Sequence, residues 1–202
     1  MSSPAIGQGY PRHFGRQGRL LRSTAPFTQI SPHHYSARVH HEVEIRILDT
    51  ADVPDVLCLQ ETAYAANFLE DADSFAAKIS ASDETSFGAW HNGEMVGYLI
   101  AFPIAGHAGV ALNSSAVLSV PLHEAKAMYI HDLAVRPEWR GRAVADQLLA
   151  ALTTVSAAHA ISVCHLVSVQ GSRGFWEKRG FVVSADPPPN GYGPEAVLML
   201  RR

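Results

Sequence analysis

Residues Met128 to Leu152 read MYIHDLAVRPEWRGRAVADQLLAAL, and the fold is read outward from them. Tyr129 to Val135 has the character of a strand. Pro137 ends it, because proline lacks the N–H that a central strand must donate. A short basic turn follows, Arg140-Gly141-Arg142-Ala143, and a helical pattern begins at Val144. Val144, Leu148, Leu149, Leu152 and Val155 recur at helical spacing and give that helix one apolar face. A strand that runs through a turn into a helix presents unpaired backbone N–H groups at the positive end of the helix dipole. Such a corner suits phosphate, and Arg140 and Arg142 add positive charge to it.

The run Arg140-Gly141-Arg142-Ala143-Val144-Ala145 resembles the acyl-coenzyme A pyrophosphate loop of the GNAT superfamily of N-acetyltransferases. The family pattern there is Arg or Gln, two free positions, Gly, one free position, then Gly or Ala. Arg140 and Ala145 match its ends, whereas Ala143 stands where glycine is usual. Leu133 to Gly141 is similar to the family's fourth strand and its exit, and Gly174-Phe175-Trp176-Glu177-Lys178-Arg179-Gly180-Phe181 to its late helix and strand. The resemblance covers Glu42 to Arg202. It implies an α/β (α+β) fold, with a central mixed, mostly antiparallel twisted sheet of about six to seven strands flanked by about four helices.

Composition sets the outer bounds. Hydrophobic content of 47% and charged content of 17% describe an ordinary globular chain of one domain. A net charge of −3 gives no reason to expect nucleic acid or an anionic membrane as partner. No apolar run approaches the roughly 20 residues that cross a bilayer, so a soluble, cytoplasmic protein is expected. The cysteines, Cys58 and Cys164, sit in apolar segments and read as buried free thiols.

Residues 1–41 differ from the rest. They carry no acidic residue but five arginines (Arg12, Arg16, Arg19, Arg22, Arg38), among many Gly, Ser and Pro. A flexible N-terminal extension fits that composition, and an organelle transit peptide is the alternative. The His33-His34 and His40-His41 pairs lack acidic or cysteine partners at ligand spacing, and no metal is expected.

The domain spans 42–202. Val43, Ile45 and Ile47 alternate as a half-buried first strand, and Thr50 or Asp52 is placed to cap the helix that follows. Phe68, Phe75 and Ile79 suggest a second helix. His91-Asn92-Gly93-Glu94 joins two strands in a hairpin, Asn-Gly being the preferred pair of a type I′ turn. Ile161 to Val169 reads as a buried strand, and a short helix from Gly171-Ser172 stops at Gly180. Phe181 to Val183 and Ala196 to Leu200 read as the last strands. The stretches 67–83, 106–121 and 186–194 carry little pattern and are expected to surround the acceptor site. Within them Glu70, Asp71 and Asp73 read as solvated acidic surface, with contact to a cationic amine as the alternative.

The resemblance implies acetyl transfer from acetyl-CoA to a primary amine of a small molecule or peptide, by direct attack in a ternary complex. The backbone N–H groups of Arg140, Gly141, Arg142, Ala143, Val144 and Ala145 would hold the pyrophosphate. The edge of Leu133, Ala134 and Val135 would pair with the pantetheine arm and supply the oxyanion donor. Ser172 and Trp176 would touch the coenzyme.

A protonated amine needs a route for its proton. His131 and Tyr129 are the candidates, two apart on one strand and so on one face, while Asp132 is expected on the opposite face in a structural role. The acid that would protonate the departing thiolate is missing, since Trp176 replaces the family's tyrosine and an indole N–H gives up no proton. Tyr192 in the late loop is the candidate stand-in. Family members are often dimers, which leaves a homodimer open. Ala143 and Trp176 keep a second reading alive, a non-catalytic acyl-CoA-binding sensor or regulatory module.

Overall fold

The computed structural model describes residues 42–106 and 109–202. The N-terminal extension, its transit-peptide alternative and its histidine pairs lie outside those residues. The chain enters as β1 (Glu44–Ile47), an edge strand. Ile47 is 49% exposed, so the expected alternation holds only in part; Val43 enters the core as expected, and Leu48 just past the strand is buried as well. A single turn of 3-10 helix leads into α1 (Val53–Ala63). Asp52 takes the N-cap position of α1, as one of the two expected candidates, but makes no capping bond to α1. The turn before it is closed by Asp49, which accepts from Ala51 N, and by Asp52, which accepts from Asp49 N. After α2 (Ala72–Ser80), β2 (Phe87–His91) and β3 (Glu94–Ile104) form the expected hairpin. Asn92 and Gly93 both take positive φ, 51° and 82°, as a type I′ turn requires.

The quoted stretch becomes β4 (Ala127–Val135) and α3 (Val144–Ala158). There follow β5 (Cys164–Ser168), α4 (Arg173–Glu177), β6 (Val182–Val183) and β7 (Val197–Arg201). The seven strands make one mixed sheet in the order β1-β2-β3-β4-β5-β7-β6, and only β4 and β5 are parallel. One face packs on α3 and α4 through Met128, Ile130, Val144, Leu148, Leu152 and Trp176. The other packs on α1 and α2 through Val56, Leu59, Phe75, Tyr98 and Ile100. Cys164 is buried as expected. Cys58 is exposed, because it lies on the face of α1 turned from the sheet.

Two irregularities of β4 create the site. It pairs with β5 only at Met128, Tyr129 and Ile130, so beyond Ile130 the two strands part. Opposite β3, Ile100 pairs with Asp132 and Ala101 with Ile130, which leaves His131 as the extra residue of a β-bulge. A bulge resets the alternation of side chains. Ile130 and Leu133 then share the α3 face, while Tyr129, Asp132 and Ala134 turn to the other. Asp132 therefore lies on the same side as Tyr129, contrary to the alternation expected of a regular strand.

Candidate active site

Where β4 and β5 separate, a cleft of about 770 Å³ opens between them. The hydrogen-bond phase of β4 determines what faces it. Arg136 N donates to Val96 O at 3.0 Å, so Arg136 and, two residues back, Ala134 point their backbone groups at β3. In an antiparallel pair the intervening residues point theirs away. The N–H and C=O of Leu133 and Val135 are thus aimed into the gap. Val135 O accepts from Arg140 Nε at 3.3 Å, and Leu133 O lies 3.2 Å from Tyr64 Oη. Among the described residues, neither of these two N–H groups has a partner.

The cleft runs on to the start of α3. The Arg140 N–H is spent on Pro137 O at 3.2 Å and is withdrawn from the expected set of donors. Gln147 N makes the first bond of the helix, to Ala143 O, and the N–H groups of residues 141–146 make no backbone bond among the described residues. Gly141 and Ala143 both hold positive φ, 74° and 61°, and this bends the loop back over the helix start. For alanine that is a left-handed conformation glycine would adopt without cost. Asp146 on the first turn is tied to Arg179 of the segment after α4, Nη2 to Oδ1 at 2.5 Å. These unpaired donors at a helix N-terminus fit the pyrophosphate of coenzyme A, and the open β4 edge fits an amide-bearing arm.

His131, Leu133, Ala134, Val135, Arg140, Gly141, Ala143, Val144, Ala145, Ser172 and Trp176 all line the cleft. Two anticipated side chains are not brought there. Arg142 is exposed and its guanidinium lies 5.0 Å over the Trp139 ring. Tyr129 is enclosed with Phe102, Ile104, Val110 and Ala127, and burial pushes its hydroxyl up to about 12. Trp176 packs edge-on between Phe175 and Phe181 at the cleft wall, and Ser172 Oγ lies 3.0 Å from Ser168 Oγ.

Beyond the β4 edge the three weakly patterned stretches join. Leu112 N donates to Asn190 O, Tyr192 Oη to Val110 O at 2.9 Å, and Asp71 N to Asn113 Oδ1. Glu70 lies under this roof and is buried, correcting its expected place on an acidic surface. Asp71 does stay at the surface, where it caps α2 by accepting from Ser74 N. Gln60 clamps the Glu70 backbone through both its amide atoms.

The Glu70 carboxylate accepts from His131 Nε2 at 2.5 Å, Lys78 Nζ at 2.8 Å, Ser74 Oγ at 3.0 Å and Asn113 N at 2.5 Å. Burial opposes its charge, but the His131 bond and charge and the Lys78 ammonium outweigh it and hold the group down at about 2. The His131 side chain is 1% exposed, and its Nδ1 lies 3.3 Å from Tyr192 Oη. Burial, then the neighbouring Tyr129, raises Tyr192 far above the usual phenol range. Asp132 accepts from Tyr64 Oη and, at 2.6 Å, from Tyr98 Oη.

Tyr64 and Asp132 were not read from the sequence as parts of the site, and Glu70 only as the alternative to a place on an acidic surface. Only the bulge and the folded roof bring them to the cleft, and no local signal marks either. Among the described residues, no three His, Cys, Asp or Glu side chains are grouped to hold a metal ion, and no helix is long and apolar enough to cross a membrane.

A family model described as Acetyltransferase (GNAT) family matches residues 53–181. No curated protein sequence matches the chain. Among solved structures, the loading GNATL domain of CurA from Lyngbya majuscula superposes with a TM-score of 0.67 at 12% identity, over 79% of this chain and 97% of that one. The GphF GNAT-like decarboxylase, solved with isobutyryl-CoA, gives 0.66 at 18% identity over 78% and 98%. The PaiA N-acetyltransferase from Thermoplasma acidophilum, solved with coenzyme A, gives 0.59 at 15% identity over 80% and 99%. At these identities the likeness is one of fold.

Proposed function

Since the chain belongs to the GNAT acetyltransferase family, we propose that it transfers an acetyl group from acetyl-CoA to a primary amine, with both substrates bound together. The observation that carries this reading is the pair of unpaired N–H groups on β4, at Leu133 and Val135, opening toward the unpaired N–H groups at the start of α3. Acetyl-CoA supplies the activated acyl carbon. Gly141 to Ala145, aided by the Arg140 side chain, hold its pyrophosphate. Val135 pairs with the pantetheine arm, and the Leu133 N–H donates to the carbonyl oxygen where negative charge develops. Trp176 and Ser172 wall the arm on the α4 side. His131 stays in the proposal as a group held by Glu70 in the cleft wall, and Tyr129 is left out of the chemistry because it is enclosed.

Calorimetry with coenzyme A and a thiol-release assay with acetyl-CoA and primary amines test the proposal together. Binding and amine-dependent release of thiol are expected. Binding without release on any amine favours the acyl-CoA sensor instead, and no binding overturns the reading.

A further inference from the structure

The His131 ring is not placed to touch an incoming amine. Its Nε2 is held by Glu70, its Nδ1 faces Tyr192, and the side chain is 1% exposed. The proton-handling group at the open wall is a different one. Tyr64, the residue that ends α1, lines the cleft with its hydroxyl 3.2 Å from Leu133 O, beside the N–H proposed to bind the thioester oxygen. That hydroxyl donates its one proton to Asp132 Oδ1. A phenol whose proton is directed at a carboxylate keeps an oxygen lone pair for a donor arriving from the cleft. Asp132 Oδ2 is meanwhile occupied by the buried Tyr98, so the carboxylate is immobilised with Tyr64 as its outlet to the cleft.

Resting on the acetyl-transfer reading above, we propose that Tyr64 and Asp132 relay the acceptor's proton. An N–H bond of the bound ammonium breaks and its proton moves to Tyr64 Oη, while the Tyr64 proton moves to Asp132 Oδ1. Tyr64 ends neutral, Asp132 ends as the carboxylic acid, and the nitrogen regains its lone pair. The amine then attacks, a C–N bond forms and the C–S bond breaks. The nitrogen's surplus proton goes to the departing sulfur, and Asp132 returns its proton to solvent. Because nitrogen protonates sulfur, no separate acid is required where Trp176 stands.

Catalysis therefore requires Asp132 as the anion. The groups facing it are Tyr64 at the end of α1, Tyr98 on β3, His131 on β4 and Glu70 ahead of α2. Burial first, with Glu70 adding to it, raises its carboxyl above the usual range against the two phenol bonds and the His131 charge. A raised carboxyl is the better proton acceptor at neutral pH.

The test compares ethylamine, protonated at neutral pH, with trifluoroethylamine, which is neutral there. Tyr64→Phe and Asp132→Asn are each expected to lower kcat/KM for ethylamine about 10²-fold while changing trifluoroethylamine by less than about threefold. In the protein without substrates, the Asp132 carboxyl carbon followed by 13C NMR is expected to titrate at higher pH in Tyr64→Phe, which removes one donor to the anion. Equal losses on both amines, or an Asp132 titration unmoved in Tyr64→Phe, overturn the relay. So does a loss confined to ethylamine in His131→Asn and absent from Tyr64→Phe. If calorimetry shows coenzyme A bound but the wild-type chain acetylates neither amine, the relay falls and the coenzyme site stands. If coenzyme A does not bind, the underlying reading falls as well.

Discussion

Ala143 shows how one residue bears on the loop proposed to receive the coenzyme. Its φ of 61° puts it in the left-handed region, where a Cβ costs about 1 kcal/mol. The chain accepts that cost because α3 must begin directly behind the turn and Val144 must reach the core, where it is 2% exposed. Ala143→Gly is therefore expected to stabilise the protein by about 1 kcal/mol and raise its thermal midpoint by about 3 °C in a calorimetric scan. An unchanged or lower midpoint would show that the loop relaxes without the strain. The sequence marks this position, since alanine stands where the family pattern has glycine. Asp132 is a residue that it conceals. Period-two alternation predicts the opposite face, and the extra residue at His131 reverses that prediction.

At the scale of elements, α2 and the 109–121 stretch are joined by a buried charge. Lys78 on α2 is fully enclosed, and its ammonium reaches Glu70 and Ser114 O at 2.8 and 3.0 Å and also bonds Ser74 Oγ. Removing one member of such a pair strands the other, which costs about 3 kcal/mol. Lys78→Met is expected to lower the stability measured by urea denaturation by that amount, and Lys78→Met with Glu70→Gln to recover part of it. A single variant with wild-type stability would mean that water or a shifted side chain replaces the ammonium. Helices α1 and α3, the hairpin and β4 are all legible in the sequence, because each rests on local periodicity or turn chemistry. The roof is not legible, because its bonds link residues far apart in the chain, as between Tyr192 and Val110.

For the molecule as a whole, two equilibria should report on the site. Coenzyme A at about 100 times its Kd is expected to add about 2.7 kcal/mol of stability, read as a rise in the thermal midpoint. A midpoint indifferent to coenzyme A would count against the cleft. Stability should also depend on acid through Glu70, whose folded pKa is lowered from 4.5 to about 2. A carboxylate lowered on folding stabilises the protein above its unfolded value, and that stability is lost as pH falls toward the folded value. The midpoint of the wild type should thus fall steeply between about pH 4.5 and 2, and that of Glu70→Gln less steeply across the same window. Parallel slopes would assign the acid sensitivity elsewhere.

By itself the sequence determined the order of elements and the place of the strand-to-helix corner proposed to hold the pyrophosphate. Periodicity, proline, glycine and helix-start geometry are written in neighbouring residues, and the quoted stretch contains them all. Only the tertiary structure decided which polar groups meet at the cleft. A strand bulge, a three-row pairing of β4 with β5 and a roof closed from three distant segments arise from packing across the whole sheet, and no local pattern encodes them.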